Sequence, residues 1–204
     1  MSVDTVTTFF ALLAVLAAVV VLVSLASAVA SRGQRPPRWA AAWRDGVAEV
    51  ALPGAWAVAT TCTLGSLYLS EVAHFPPCDL CWYQRIAMYP LAVLLGVAAL
   101  RRDTSIRWYS VPVAGIGLAI SAYHYLLERF PDSVASACSA DVPCTTVWVW
   151  KFGFLSIPAM AGIGFAAIIA LVLQSTPRGT APLGDDPSTG PVRSGRATSE
   201  AAST

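Results

Sequence analysis

The stretch His74-Phe75-Pro76-Pro77-Cys78-Asp79-Leu80-Cys81-Trp82-Tyr83-Gln84-Arg85 sets two thiols three positions apart and follows them with a fixed positive charge. Such a pair can cycle between dithiol and disulfide, close a permanent bridge, or supply half of a zinc site. Pro76 and Pro77 stop any preceding helix, so Cys78 falls at an N-cap and Cys81 in the first turn of the helix that follows. Unpaired amide N–H groups and the positive end of the helix dipole favour a thiolate there. Arg85, four residues beyond Cys81, shares its helix face. Its charge is expected to favour the Cys81 thiolate further and to hold a polar or anionic head of an electron acceptor.

A second pair, Cys138 and Cys144, flanks Ser139-Ala140-Asp141-Val142-Pro143 and closes a short ring in a long polar loop. A bridge across so few residues adds little stability by restricting the unfolded chain, whereas exposed, strained disulfides are the labile ones. A purely structural bridge remains the alternative for this pair.

The elements that must position these cysteines are apolar spans. The chain is 56% hydrophobic and 12% charged, about half the charge of a soluble domain. A bilayer core of about 30 Å needs roughly 20 apolar residues in helix. Five stretches meet or approach that length: Phe9 to Ala30, Ala55 to Ala73, Tyr83 to Leu100, Trp108 to Leu127 and Phe154 to Leu173. They lack two-residue alternation, and a backbone in lipid must satisfy its own hydrogen bonds. The expected fold is therefore an all-α integral membrane protein, a four-helix transmembrane bundle with an additional N-terminal transmembrane helix. Ala28-Val29-Ala30 resembles a signal-peptide cleavage site, but the run before it is too long for one and carries Asp4 with no Lys or Arg. It is read as a true span.

Arginine placement orients the bundle. Arg32, Arg35, Arg38 and Arg44 follow span one, Arg101, Arg102 and Arg107 follow span three, and Arg178, Arg193 and Arg196 lie in the tail. The positive-inside rule makes these loops cytoplasmic. The N-terminus and the loops at 74–82 and 128–153 then face outward at a plasma membrane, with the C-terminus cytoplasmic. Cys78, Cys81, Cys138 and Cys144 thus lie where disulfides persist, while Cys62 lies mid-span as a small packing residue. This charge distribution leaves no nucleic-acid surface. Residues 1–50 form the first helix and a cytoplasmic loop, 51–175 a four-helix redox unit, and 176–204 a Pro-, Gly-, Ser- and Thr-rich tail expected to be a disordered cytoplasmic extension.

Zinc at Cys78 and Cys81 would need two more ligands. The outward candidates are Cys138, Cys144, His74 and His124, and an oxidising compartment disfavours free thiolates as structural ligands. No metal is expected. Two outward cysteine pairs suggest instead a thiol–disulfide relay that takes in electrons at one pair and releases them at the other. Because Cys81 and Arg85 lie at the membrane interface, a lipid-soluble quinone is the natural final acceptor.

The motif Cys-x-x-Cys-x-Tyr-x-Arg at 78–85, with Met88-Tyr89-Pro90, Ser121-Ala122-Tyr123-His124-Tyr125, Val142-Pro143-Cys144, Trp150-Lys151-Phe152-Gly153-Phe154 and Ile157-Pro158, resembles the disulfide bond formation protein B (DsbB) family. It is closest to that family's short-loop, BdbC-like branch, and the resemblance covers about residues 55–173. It implies a quinone-dependent protein-disulfide oxidoreductase. A reduced thioredoxin-fold partner of the DsbA type would attack at Cys138, the freed Cys144 would exchange with Cys78, and Cys81 would pass electrons to ubiquinone or menaquinone beside Arg85. His124 has two open roles, one in handling the quinone or its protons and one in interfacial packing.

Two features depart from the family pattern: the additional first span, which reverses the start of the chain, and the close spacing of the second cysteine pair. A vitamin K epoxide reductase-like enzyme is the nearest rival, but in that family the loop pair precedes the CxxC. A non-enzymatic scaffold with stapled loops is the rival from another class. The near absence of charge within the spans argues against an ion pathway.

Overall fold

The computed structural model describes residues 2–33, 37–131, 138 and 142–175. The tail at 176–204 with its three arginines, Arg35, and the ring interior at 139–141 lie outside the described residues. Helices account for most of the described residues. They are α1 (Val3–Ala30), α2 (Arg38–Ala48), α3 (Ala51–Leu67, continued by a π turn at Tyr68–Val72), α4 (Asp79–Arg101), α5 (Arg107–Arg129) and α6 (Ile157–Gln174). No β-strand occurs among the described residues.

Four helices are long and apolar enough to cross a membrane. The segment Ala51–Val72 meets the same test only together with α2, from which it is bent by 68°. The sequence reading anticipated the five spans but not α2. Its Trp39, Ala40, Trp43 and Val47 recur at helical spacing beside Arg38 and Arg44, a pattern that lies along an interface rather than through it.

Helices α3 to α6 close a four-membered ring in which each packs on its two neighbours, and α1 lies outside it against α6. Lipid offers apolar side chains no incentive to leave it, so small residues and close packing hold such helices together. At Gly117 of α5 an added Cβ would collide with the fully buried Phe165 ring of α6. At Gly164 of α6 it would meet Cys62 Sγ at 2.7 Å, which gives Cys62 the packing role expected of it. Leu91, Leu95, Ile168 and Val172 fill the centre.

One end of the bundle gathers the chemistry. The start of α1, the end of α3, the start of α4, the end of α5 and the start of α6 all lie there. Lys151 forms an ion pair with Asp4, and Tyr125 Oη donates to the Phe154 carbonyl at 3.1 Å. Stacking of Phe75 on Trp148, centroids 5.1 Å apart, ties the two loops of this end together. Arg32, Arg38, Arg44, Arg101, Arg102 and Arg107 sit at the opposite end.

Candidate functional site

After the π turn His74 takes a left-handed conformation, φ 56°, and extended Phe75, Pro76 and Pro77 carry the chain to Cys78. Cys78 is the N-cap of α4, with φ −76° and ψ 174°, and its carbonyl accepts from Trp82 N–H at 3.1 Å. Its side chain faces Cys81. The two sulfurs lie 3.1 Å apart and unbonded. Cys78 is buried and Cys81 half-buried.

His124, buried on α5, joins this pair to the second one. Its Nε2 stands 3.7 Å from Cys78 Sγ and 3.2 Å from the carbonyl of Cys144. Its Nδ1 faces Gln84 Nε2 of α4 at 3.2 Å. An amide NH₂ can only donate, so in this orientation Nδ1 accepts and Nε2 carries the proton. That proton points at Cys144 and Cys78. Cys138 and Cys144 are disulfide-bonded with Cα atoms 6.0 Å apart. Cys144 is wholly buried against Cys78, Leu80 and Leu127, while Cys138 at the margin of this cluster is only half-buried.

These contacts act unequally on the two thiols of α4. Hydrogen bonding with Cys81, and more weakly with His124, outweighs burial and holds the Cys78 thiol well below the ordinary thiol range. Arg85, assigned from sequence to the Cys81 thiolate, acts on that thiol through its charge and gives its hydrogen bonds to other groups. Its Nε donates to Ser66 Oγ at 2.9 Å, its Nη2 donates to the Ser66 carbonyl at 3.1 Å, and the guanidinium lies 5.1 Å over the Trp82 ring. The strongest stabilisation of negative charge therefore falls on Cys78, which faces a proton on His124.

Arg85 and Cys81 do share a wall. A cavity of ≈ 360 Å³ opens beside them, with Gln84, Ser66 and Tyr89 at the same end and apolar side chains of α1, α3, α4 and α6 beyond. A second cavity of ≈ 20 Å³ touches Cys78, Cys81, His124 and Glu128 and is about the size of one water. One carboxyl oxygen of Glu128 is buried without a hydrogen-bond partner. Cys78, Cys81 and His124 place their ligand atoms within 4.8 Å of one another, so in the dithiol state these three could hold a metal ion.

Sequence reasoning missed Gln84, Ser66 and Glu128. Gln84 carried a usable signal as a polar residue three beyond Cys81 in an apolar helix, where polar groups are costly and functional. Ser66 carried none, because Arg85 and Tyr89 reach it from another helix, and neither did Glu128, whose neighbours at the small cavity come from distant parts of the chain.

Comparison with known proteins agrees with this geometry. Residues 49–175 match the family model "Disulfide bond formation protein DsbB". The "Probable disulfide formation protein C 2" of Bacillus anthracis is 48% identical over 118 residues, covering 58% of this chain and 84% of the relative. The "Disulfide bond formation protein C" of Bacillus subtilis (strain 168) is 47% identical over 121 residues, covering 59% and 88%. No solved structure matches. The match spans the helix ring and both cysteine pairs, so this multi-pass membrane protein belongs to the DsbB family and is a disulfide-forming protein-disulfide oxidoreductase.

Proposed function

We propose that the protein reoxidises an extracytoplasmic thiol oxidase of the DsbA type and passes the electrons to a membrane quinone. The redox unit is residues 51–175. The carrying observation is that Cys81 and Arg85 share the wall of a ≈ 360 Å³ cavity, apolar but for one end, immediately beside the Cys78/Cys81 dithiol. That volume is typical of small-molecule sites, and the polar end offers Arg85 and Tyr89 as donors to quinone oxygens. Bound there, a quinone would take up two electrons and two protons.

Each exchange conserves disulfides. A partner thiolate attacks Cys138, the more exposed sulfur of its bridge, and releases Cys144 as thiolate. The partner's second thiol resolves the mixed disulfide, so the partner leaves oxidised and Cys138 leaves reduced. Cys144 attacks Cys78 of the oxidised Cys78–Cys81 pair and expels Cys81 toward the cavity. Cys138 then attacks Cys144, restoring the loop disulfide and releasing Cys78. The acidity of Cys78 suits that last role, because a thiol of lower pKa leaves faster. The resulting state, with the loop disulfide closed and the dithiol open, is the arrangement in the structure. His124 Nε2–H donates a hydrogen bond to the charge on Cys78, and Gln84 fixes the ring.

Arginines at the far end of the bundle support a cytoplasmic location there and an outward one for the cysteines. Trapping tests the proposal. A DsbA-type partner lacking its resolving cysteine should accumulate as a mixed disulfide with the wild type and not with Cys138→Ser. Undiminished trapping in Cys138→Ser would refute attack at Cys138.

A further inference from the structure

The large cavity is not enclosed by the family's helix ring alone. One wall is α1, through Phe10, Leu13, Ala17 and Val20, and α1 lies outside the stretch 49–175 that matches the family. The helix is anchored on both sides of this wall. Asp4 pairs with Lys151 at one end, and Gln174 Nε2 donates to Ser24 Oγ at 2.8 Å toward the other. Between them Ala11 and Ala14 pack with Leu155, Met160 and Ile163. Phe10 bridges back to α3, its ring so close to Gly65 that an added Cβ would sit 3.1 Å away. The polar, thiol-bearing end lies near Phe10, and the apolar wall runs on from it along Leu13, Ala17 and Val20 at helical spacing.

We propose that α1 is an accessory wall that binds the isoprenoid tail of the quinone and gives this protein a preference for long-tailed acceptors. The inference rests on the quinone reading above and deepens it. The tail is the occupant because the wall continues without interruption from the end where Cys81 and Arg85 would meet the ring. An apolar chain seated on such a wall gains close van der Waals packing, the interaction that holds apolar groups together where lipid supplies no hydrophobic drive.

The test measures binding to purified full-length protein in detergent by equilibrium dialysis. The probes are ubiquinone and menaquinone, each as a long-tailed form and as the bare ring. Ala17→Trp projects an indole into the wall, and Leu12→Trp places the same bulk on the exposed face of α1, where Leu12 is 56% exposed. Ala17→Trp should weaken long-tailed binding by about tenfold, equivalent to an overpacking cost of about 1.4 kcal/mol, and weaken ring binding much less. Leu12→Trp should bind both forms as the wild type does. Unchanged long-tailed binding in Ala17→Trp would overturn the role of α1 while leaving the quinone reading intact. Equal losses for both forms would overturn it too, because α1 would then act on the ring or the fold. Failure of the wild type to bind any form would remove the quinone reading itself.

Discussion

The imidazole of His124 stands between Cys78 Sγ, at 3.7 Å, and the Cys144 carbonyl, at 3.2 Å. Gln84 holds its other nitrogen. Removing the ring leaves Cys81 as the main hydrogen-bond partner of Cys78 and takes away the second. In His124→Ala the Cys78 thiol should become less acidic, as read from the pH dependence of the ultraviolet thiolate band against Cys78→Ser. Each unit of rise should slow release of Cys78 by about threefold. An unmoved midpoint would contradict the contact. A stability trend follows from the same shift. Because the folded thiol is more acidic than an unfolded one, near 8.5, its stabilisation of the reduced protein is full above that value. It shrinks as pH falls below that value and is lost once the folded thiolate takes up its proton. The Tm difference between reduced wild type and Cys78→Ser should narrow over that window, and a constant difference would count against it.

Among the elements, the close approach of α5 to α6 at Gly117 has a direct consequence. Gly117→Ala would push a methyl group into the Phe165 ring, and overpacking of this kind costs about 1–3 kcal/mol. The variant should lose stability by that amount in reversible unfolding in detergent while Gly115→Ala, which meets nothing within 4 Å, should not. The helices were legible from sequence because apolar length and paired prolines are local signals, and so was the N-cap position of Cys78. The placement of Arg85 was not. Its spacing from Cys81 gave the correct helix face, but Ser66, nineteen residues earlier on another helix, takes the guanidinium's hydrogen bonds. The tie of Cys78 to His124 spans 46 positions and depends on how α4 meets α5, which no local pattern encodes. Helix α2 was less legible because its apolar period is short and sits among arginines, outside the long apolar runs that mark spans.

For the whole molecule, all four cysteines of the two pairs gather at one end and six of the described arginines at the other. If that asymmetry sets the orientation, a single cysteine placed at Ser105 in a cysteine-free background should resist a membrane-impermeant maleimide in intact cells and react once they are opened. One placed at Ser2 should react in intact cells. The reverse pattern would invert the topology and place the site away from any extracytoplasmic partner. The central claim is that electrons cross from a protein thiol to the membrane through both pairs in series. Its most direct measurement follows quinone reduction by purified protein supplied with a reduced DsbA-type partner. The wild type should form one quinol per partner disulfide, while Cys81→Ser and Cys138→Ser should each abolish turnover; full turnover in either variant would contradict the relay.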